Sequence, residues 1–282
     1  MILLTGANGK TAGVTARLLA GKVPLRALVR NQAKAEALKA LGVEIVVGDV
    51  DNDAVLAAAM TGVTDALLLL PNGEHQERLE KKFIDAAKAA GVKRVVKVSS
   101  IEATSHATAK IPRIHAAVED YLRASGVGYT MVRPNFYMAN LFGNAASIKA
   151  AGTIVMPAGN GKIGAIDSRD VGAVIAHVLS TPGHTGKSYA LSGPESLSLA
   201  QVAQAFSDVL GKPITYIDQP MAEYAAKLAA FLPKWHAEAV GELIGGIGGN
   251  SMDVLTTTVQ DMLGRAPISL AQFIKDNIAV YR

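Results

Sequence analysis

The sequence predicts an α/β fold: a doubly wound parallel sheet followed by a smaller C-terminal α/β lobe. Three observations point to it. The chain opens MILLTGANGKTAGVTARLL, an apolar run, a glycine-bearing turn and then apolar residues at helical spacing. Short apolar runs then alternate with amphipathic stretches through residue 132, the pattern of parallel strands joined by helices. Half of the 282 residues are hydrophobic and only 18% are charged, which suffices for a sizeable core and excludes a disordered chain.

The opening stretch organises the rest. Residues 1–4 read as a buried strand and residues 14–19 as part of a helix, with Thr5-Gly6-Ala7-Asn8-Gly9-Lys10-Thr11 between them. Gly6 can take backbone angles that a side chain forbids. Gly9 leaves room for an oxygen to approach, and Ala12 is small enough for close helix–strand packing. Unpaired N–H groups in the first helical turn, together with the helix dipole, favour an anion there. The spacing Gly6-x-x-Gly9-x-x-Ala12 departs from the usual G-x-G-x-x-G. Its place between strand and helix nevertheless matches a pyrophosphate cradle. Residues 1–150 are therefore read as an NAD(P)-binding Rossmann domain. Residues 151–282 are read as a smaller substrate-binding lobe, with some segments returning to that core.

Residues 22–29, KVPLRALV, form the second strand and end in Arg30, 21 positions beyond Gly9. An NAD-binding chain carries an acid about 20 residues on, for the ribose 2′-hydroxyl. An arginine there, with Lys34 nearby, suits a 2′-phosphate, so NADP(H) is expected over NAD(H). The alternative is that Arg30 stacks on the adenine and does not discriminate. A helix over 33–40 and a strand over 43–47 follow, ending in Gly48-Asp49-Val50. Asp49 is placed either at the adenine edge or as cap of the next helix, a cap that Asp51 or Asp53 could equally supply. Residues 64–70 are an uninterrupted apolar strand ending at Pro71, over the expected cofactor position. A helix over 75–91 leads to a strand over 94–98 that ends in Ser99-Ser100. Residues 112–125 read as a helix stopped by Gly126, and residues 127–132 as another strand. Beyond Gly152, residues 154–157, 159–164 and 165–170 read as short strands and turns, followed by a helix over 171–179 and a strand over 187–191. A helix over 198–210, capped by Ser198, and a strand over 214–217 follow, then a mostly helical remainder broken at residues 245–249. These later segments are expected to be too short to build a second core.

The Tyr-x-x-x-Lys acid–base pair common in this architecture is missing: Ser125 follows Tyr121 by four and Arg133 follows Tyr129. The helix over 112–125 instead carries His115 and Glu119 one turn apart. Glu119 is expected to orient the imidazole and raise its pKa, so that His115 contacts the nicotinamide ribose or supplies a proton. A structural surface pair is the alternative. Ser99, Asn135, Tyr137 and Asn140 are further polar candidates. Asp167 and Asp170, either side of Arg169, are read as caps with a local salt bridge. No His/Asp/Glu spacing suits a metal, and no Gly-x-Ser-x-Gly elbow occurs.

The absence of cysteine excludes disulfides and thiolate chemistry. The net charge of +4 is scattered, without the basic run that nucleic-acid binding would need. No apolar run approaches the ~18 residues of a membrane helix. With a strand starting at the first residues, no leader is expected, and the cytoplasm is the expected location. Expected partners are a small-molecule substrate and, at most, a second copy of the chain, as monomer or homodimer.

The run Thr5-Gly6-Ala7-Asn8-Gly9, Arg30, Gly48-Asp49-Val50, the stretch from Glu119 to Gly126 and that from Tyr129 to Phe136 resemble the NmrA-like atypical short-chain dehydrogenases/reductases. Having His115 where many members carry lysine resembles the bacterial branch of triphenylmethane reductase and type-2 quinone oxidoreductases. The resemblance implies an NADP-type cofactor. Gly6, Asn8, Gly9, Lys10, Thr11 and Arg30 would hold its phosphates and Asp49 and Val50 would meet the adenine. Leu70, Pro71 and Asn135 would line the nicotinamide side. It also implies a choice between reductases and non-catalytic NADP(H) sensors that bind a protein partner. The leading expectation is an NADPH-dependent reductase of quinone-like, conjugated or carbonyl acceptors, because acceptors that spread the incoming charge need orientation more than a strong acid. Carbonyl reduction with Tyr137 or Ser99 as donor is a third possibility.

Overall fold

The structure, a computed structural model, describes residues 1–282, the Lys34 side chain excepted. The first half alternates strictly: β1 (Ile2–Thr5), α1 (Lys10–Leu19), β2 (Leu25–Val29), α2 (Glu36–Ala40), β3 (Glu44–Val47), α3 (Asp53–Met60), β4 (Asp65–Leu68), α4 (Gln76–Ala89), β5 (Arg94–Val98), α5 (Lys110–Ala124) and β6 (Gly128–Pro134). It continues with α6 (Ala145–Ala151), β7 (Thr153–Met156), β8 (Lys162–Ile163), α7 (Ser168–Ser180), β9 (Lys187–Leu191), β10 (Leu197–Ser198), α8 (Leu199–Leu210) and β11 (Thr215–Asp218). Short helices complete the chain, among them α9 (Met221–Leu228) and α10 (Lys234–Gly245).

The main sheet has the order β3-β2-β1-β4-β5-β6-β9. From β3 through β6 every neighbour pairs in parallel; Leu4 of β1, for example, registers with Ala27 on one side and Leu67 on the other. The order reverses direction between β1 and β4, the switch point beyond which a dinucleotide binds. β1, β2 and β5 are buried along their whole length, as strands covered on both faces should be. Two antiparallel or parallel pairs, β8 with β10 and β7 with β11, form small separate sheets.

The chain forms two compact units, each assembled from several segments. The first comprises Met1–Ser105, Ile114–Arg133 and Val171–Tyr189; the second comprises His106–Arg113, Pro134–Asp170 and Ala190–Arg282. The first unit packs Leu3, Leu56, Phe83, Ile84, Val95, Val118 and Met131 into its core. The second unit corrects an expectation: it has a full core of its own, including Phe136, Leu141, Ile154, Phe206, Ile247 and Tyr281. Short elements achieve this because distant segments meet, as where the Tyr281 ring lies 4.8 Å from that of Phe206 and 5.9 Å from that of Phe142. Residues 165–170, read as part of a run of short strands and turns, are shorter on extended structure than that reading allows. Only a single bridge at Ile166 forms, and α7 starts at Ser168. Ser198 caps α8 as predicted, in a reciprocal capping box with Gln201. Among the described residues no helix is long and apolar enough to cross a membrane.

Candidate functional site

The turn after β1 is shaped by what it must avoid. Gly6 has φ +67°, and a Cβ there would stand 2.9 Å from the Leu69 carbonyl oxygen. The Thr5 hydroxyl locks this turn to the end of β4, donating to Leu67 O at 2.9 Å and accepting from Leu69 N at 2.8 Å. Gly9 N donates to Gly6 O, and Gly9 becomes the N-cap of α1 with no side chain covering the helix end. No acid occupies the first turn of α1. The N–H groups of that turn are therefore available to an anion. Gly172 of α7 lets α1 pack closely: a Cβ there would lie 2.6 Å from Thr11 O. Both Lys10 and Thr11 fall in the first turn of α1, Thr11 buried and Lys10 exposed, with partial burial drawing the Lys10 pKa down.

The ends of β1, β2, β3 and β4 together bound a cavity of about 800 Å³, lined by residues 5–9, 28–31, 48–50, 69–76 and Leu79. This volume falls in the range of small-molecule sites. Gly6, Asn8, Gly9, Arg30, Asp49, Val50, Leu70 and Pro71 all stand on its wall. The reading of Lys34 as a helper of Arg30 lies outside the described residues. Asp49 does not cap α3; its Oδ1 accepts from Asp51 N at 2.9 Å. The cap is Asn52, which accepts from Val55 N at 3.1 Å. Asp51 instead pairs with Arg78 at 2.6 Å and with Lys82, which hold its carboxyl far below the usual range, and Asp53 pairs with Lys82 at 2.8 Å.

The predicted His115–Glu119 partnership is not made. Sharing a helix face was too weak a constraint once stronger charges were within reach of both. Glu119 is fully buried and takes Arg133 Nε at 2.8 Å and Arg123 at 2.7 Å. Burial pushes its carboxyl up, but Arg133, Ser99 and Arg123 outweigh this and hold it below the usual range. Ser99 Oγ makes no geometrically complete hydrogen bond, although it is close enough to favour the carboxylate. His115 faces Lys97 instead, with Lys97 Nζ 3.1 Å from His115 Nδ1. Burial and the Lys97 charge push the imidazole well below its ordinary pKa, the reverse of the expected rise. Because an ammonium can only donate, His115 is neutral with Nδ1 accepting and Nε2 protonated.

Lys97 itself is fully buried. It also donates to Val98 O at 3.0 Å and pairs at 2.5 Å with Glu80, which in turn accepts from Gln76 Nε2 at 3.1 Å. Gln76, Glu80 and Lys97 were missed in the sequence. The available sign was a lysine inside the apolar strand RVVKV, where an unpaired charge would be costly.

Asn135 donates both amide protons to Met252 O and Val254 O and accepts from Phe136 N, so its amide braces the segment around residue 253. Tyr137 is half-buried and bridges to Ile166 through its backbone. Asp167 pairs with Arg169 at 2.7 Å as expected, but Asp170 pairs with Arg265 and accepts from Ile268 N. Among the described residues no group of His, Asp and Glu could hold a metal.

The sequence profile of the NmrA-like family matches residues 1–253. This chain belongs to the NmrA-like family. Among its relatives, the NAD(P)H azoreductase of Xenophilus azovorans is 34% identical over 283 residues, covering 100% of this chain and 99% of that one. The NADPH-dependent quinone oxidoreductase of Escherichia coli, solved with NADPH, superposes with a TM-score of 0.91 at 31% identity, covering 99% of this chain and 100% of that one. The triphenylmethane reductase of Citrobacter, solved with NADP(H), superposes with a TM-score of 0.87 at 26% identity, covering 98% and 99%. The doubly wound fold and the family resemblance read from the sequence are thereby established.

Proposed function

We propose that the chain is an NADPH-dependent oxidoreductase acting on quinone-like, conjugated or carbonyl small molecules. The observation that carries this reading is the open cradle at the N-terminus of α1, joined in one cavity to Arg30 at the end of β2. The cradle fits a pyrophosphate: Gly6 and Gly9 leave the approach clear, and the helix end is uncapped. Arg30 offers a guanidinium to a 2′-phosphate where an NAD-binding chain would present a carboxylate. Val50, Leu70 and Leu79 offer apolar surface beside it. When bound, NADPH supplies a hydride.

The chain's own residues orient the reactants and control protons. His115, held neutral by Lys97, can donate a hydrogen bond from Nε2 but is a poor proton source. That suits acceptors whose reduced form spreads its negative charge and takes its proton from solvent. The azoreductase, quinone oxidoreductase and triphenylmethane reductase similarities support the same acceptor class. Incubation of the purified protein with NADPH and a panel of quinones, azo dyes and ketones, followed by the absorbance of reduced cofactor, tests it. Turnover with quinones or azo dyes above ketones is expected. Tight NADPH binding without turnover of any acceptor would overturn the enzyme reading in favour of a cofactor sensor.

A further inference from the structure

Gln76 is the first residue of α4, lines the cavity and is 1% exposed. Its amide is not free to rotate between its two orientations. Nε2 lies 3.1 Å from Glu80 Oε1, and a carboxylate accepts but does not donate. Glu80 is anchored as a carboxylate by the fully buried Lys97, 2.5 Å from its other oxygen. Lys97 is itself held by Val98 O and by His115 Nδ1. The Lys97 ammonium and the Gln76 amide nitrogen both face Glu80, whose carboxylate only accepts, and this fixes which way the amide points. That leaves Gln76 Oε1 as a buried acceptor without a donor among the described residues, on a residue that lines the cavity. A buried amide oxygen without a donor is costly, and a donor on a bound ligand would remove that cost.

We infer that Gln76 Oε1 accepts a hydrogen bond from an O–H or N–H group of the bound dinucleotide, a ribose hydroxyl or an amide, with Glu80 and Lys97 as positioning residues that fix its direction. This rests on the reading of the cavity as an NADP(H) site. The contact makes Gln76 a recognition residue for a neutral donor, distinct from the phosphate contacts at Gly9 and Arg30.

Calorimetric titration of wild type and Gln76→Met with NADP⁺ and with adenosine 2′,5′-bisphosphate tests the inference. Methionine keeps the size and removes the acceptor. A loss of about tenfold in NADP⁺ affinity is expected for Gln76→Met. If the bisphosphate is weakened equally, the donor lies on the adenosine half; if only NADP⁺ is weakened, it lies toward the nicotinamide. Unchanged affinity for both ligands in a folded Gln76→Met overturns the inference. A structure of the wild-type protein with NADP⁺ bound provides a readout independent of the variant. It must place a ligand donor within about 3.2 Å of Gln76 Oε1, and an oxygen facing only carbon or water would refute the assignment. Failure of the wild type to bind any of these nucleotides would instead defeat the underlying cofactor reading.

Discussion

A proton on His115 would sit in a buried site with the Lys97 ammonium 3.1 Å away. Its folded pKa therefore lies well below the ordinary 6.5. As pH falls through 6.5, the unfolded chain takes up this proton and the folded chain does not, so stability is lost on the acid side. The slope from this one group is at most about 1.4 kcal/mol per pH unit. Glu119 acts in the same direction but at lower pH, because its depressed carboxyl loses its contribution only below its ordinary 4.5. Urea denaturation across the window from 6.5 to 4.5 should show falling stability in the wild type and a flatter profile in His115→Gln. Arg30 carries a separate expectation. Arg30→Ala should raise the Kd for NADPH about tenfold, the worth of a charge-assisted contact, and leave that for NADH unchanged. Equal losses for both would show that Arg30 stacks on the adenine without discriminating.

In the proposed cofactor site helix α1 acts through its uncapped end, and what holds that end in place is a packing contact. Gly172 of α7 would bring a Cβ to 2.6 Å from Thr11 O and 2.7 Å from Val14 Cβ, and its own carbonyl accepts from Thr15 Oγ1 at 2.9 Å. Gly172→Ala must shift the first turns of α1, at a cost of about 1–3 kcal/mol. Thermal unfolding and NADPH titration of that variant should therefore worsen together. A destabilised variant with unaltered affinity would separate this packing from the cradle. Helix α8 offers the contrasting case, since its capping box stabilises an element remote in sequence from the cradle. Ser198→Ala should cost about 1 kcal/mol in urea denaturation and leave NADPH affinity as it was.

Over the whole molecule, a ligand that binds only the folded chain adds RT ln(1 + [L]/Kd) to its stability, about 2.7 kcal/mol at a hundredfold excess over Kd. The melting temperature should therefore climb with the logarithm of NADPH concentration. NADH at the same concentrations should give a smaller rise if Arg30 recognises the 2′-phosphate. Equal curves would remove the preference for the phosphorylated cofactor. The two cores, one around Phe83 and Val95 and the other around Phe206 and Tyr281, show why the later half needs no long elements. Segments separated by more than a hundred residues supply its apolar surface jointly.

Local sequence by itself determined the alternation of strands and helices, the Gly6–Gly9 turn, the position of Arg30 and the cap at Ser198. Each depends on neighbours a few residues away: a period of two or 3.6, a backbone angle, a side chain reaching the next turn. It also brought the family resemblance within reach, since those same short runs carry it. Only the tertiary structure decided who partners whom. Glu119 turned to Arg133 and Arg123 in place of His115, Asn52 took the cap from Asp49, and Asp170 went to Arg265. Gln76, Glu80, Lys97 and His115 became one chain although they span two helices and a strand. The physical reason is that a buried charge must be satisfied by whatever group the fold brings within about 3 Å, and that distance is set by packing across the sheet, not by spacing along the chain.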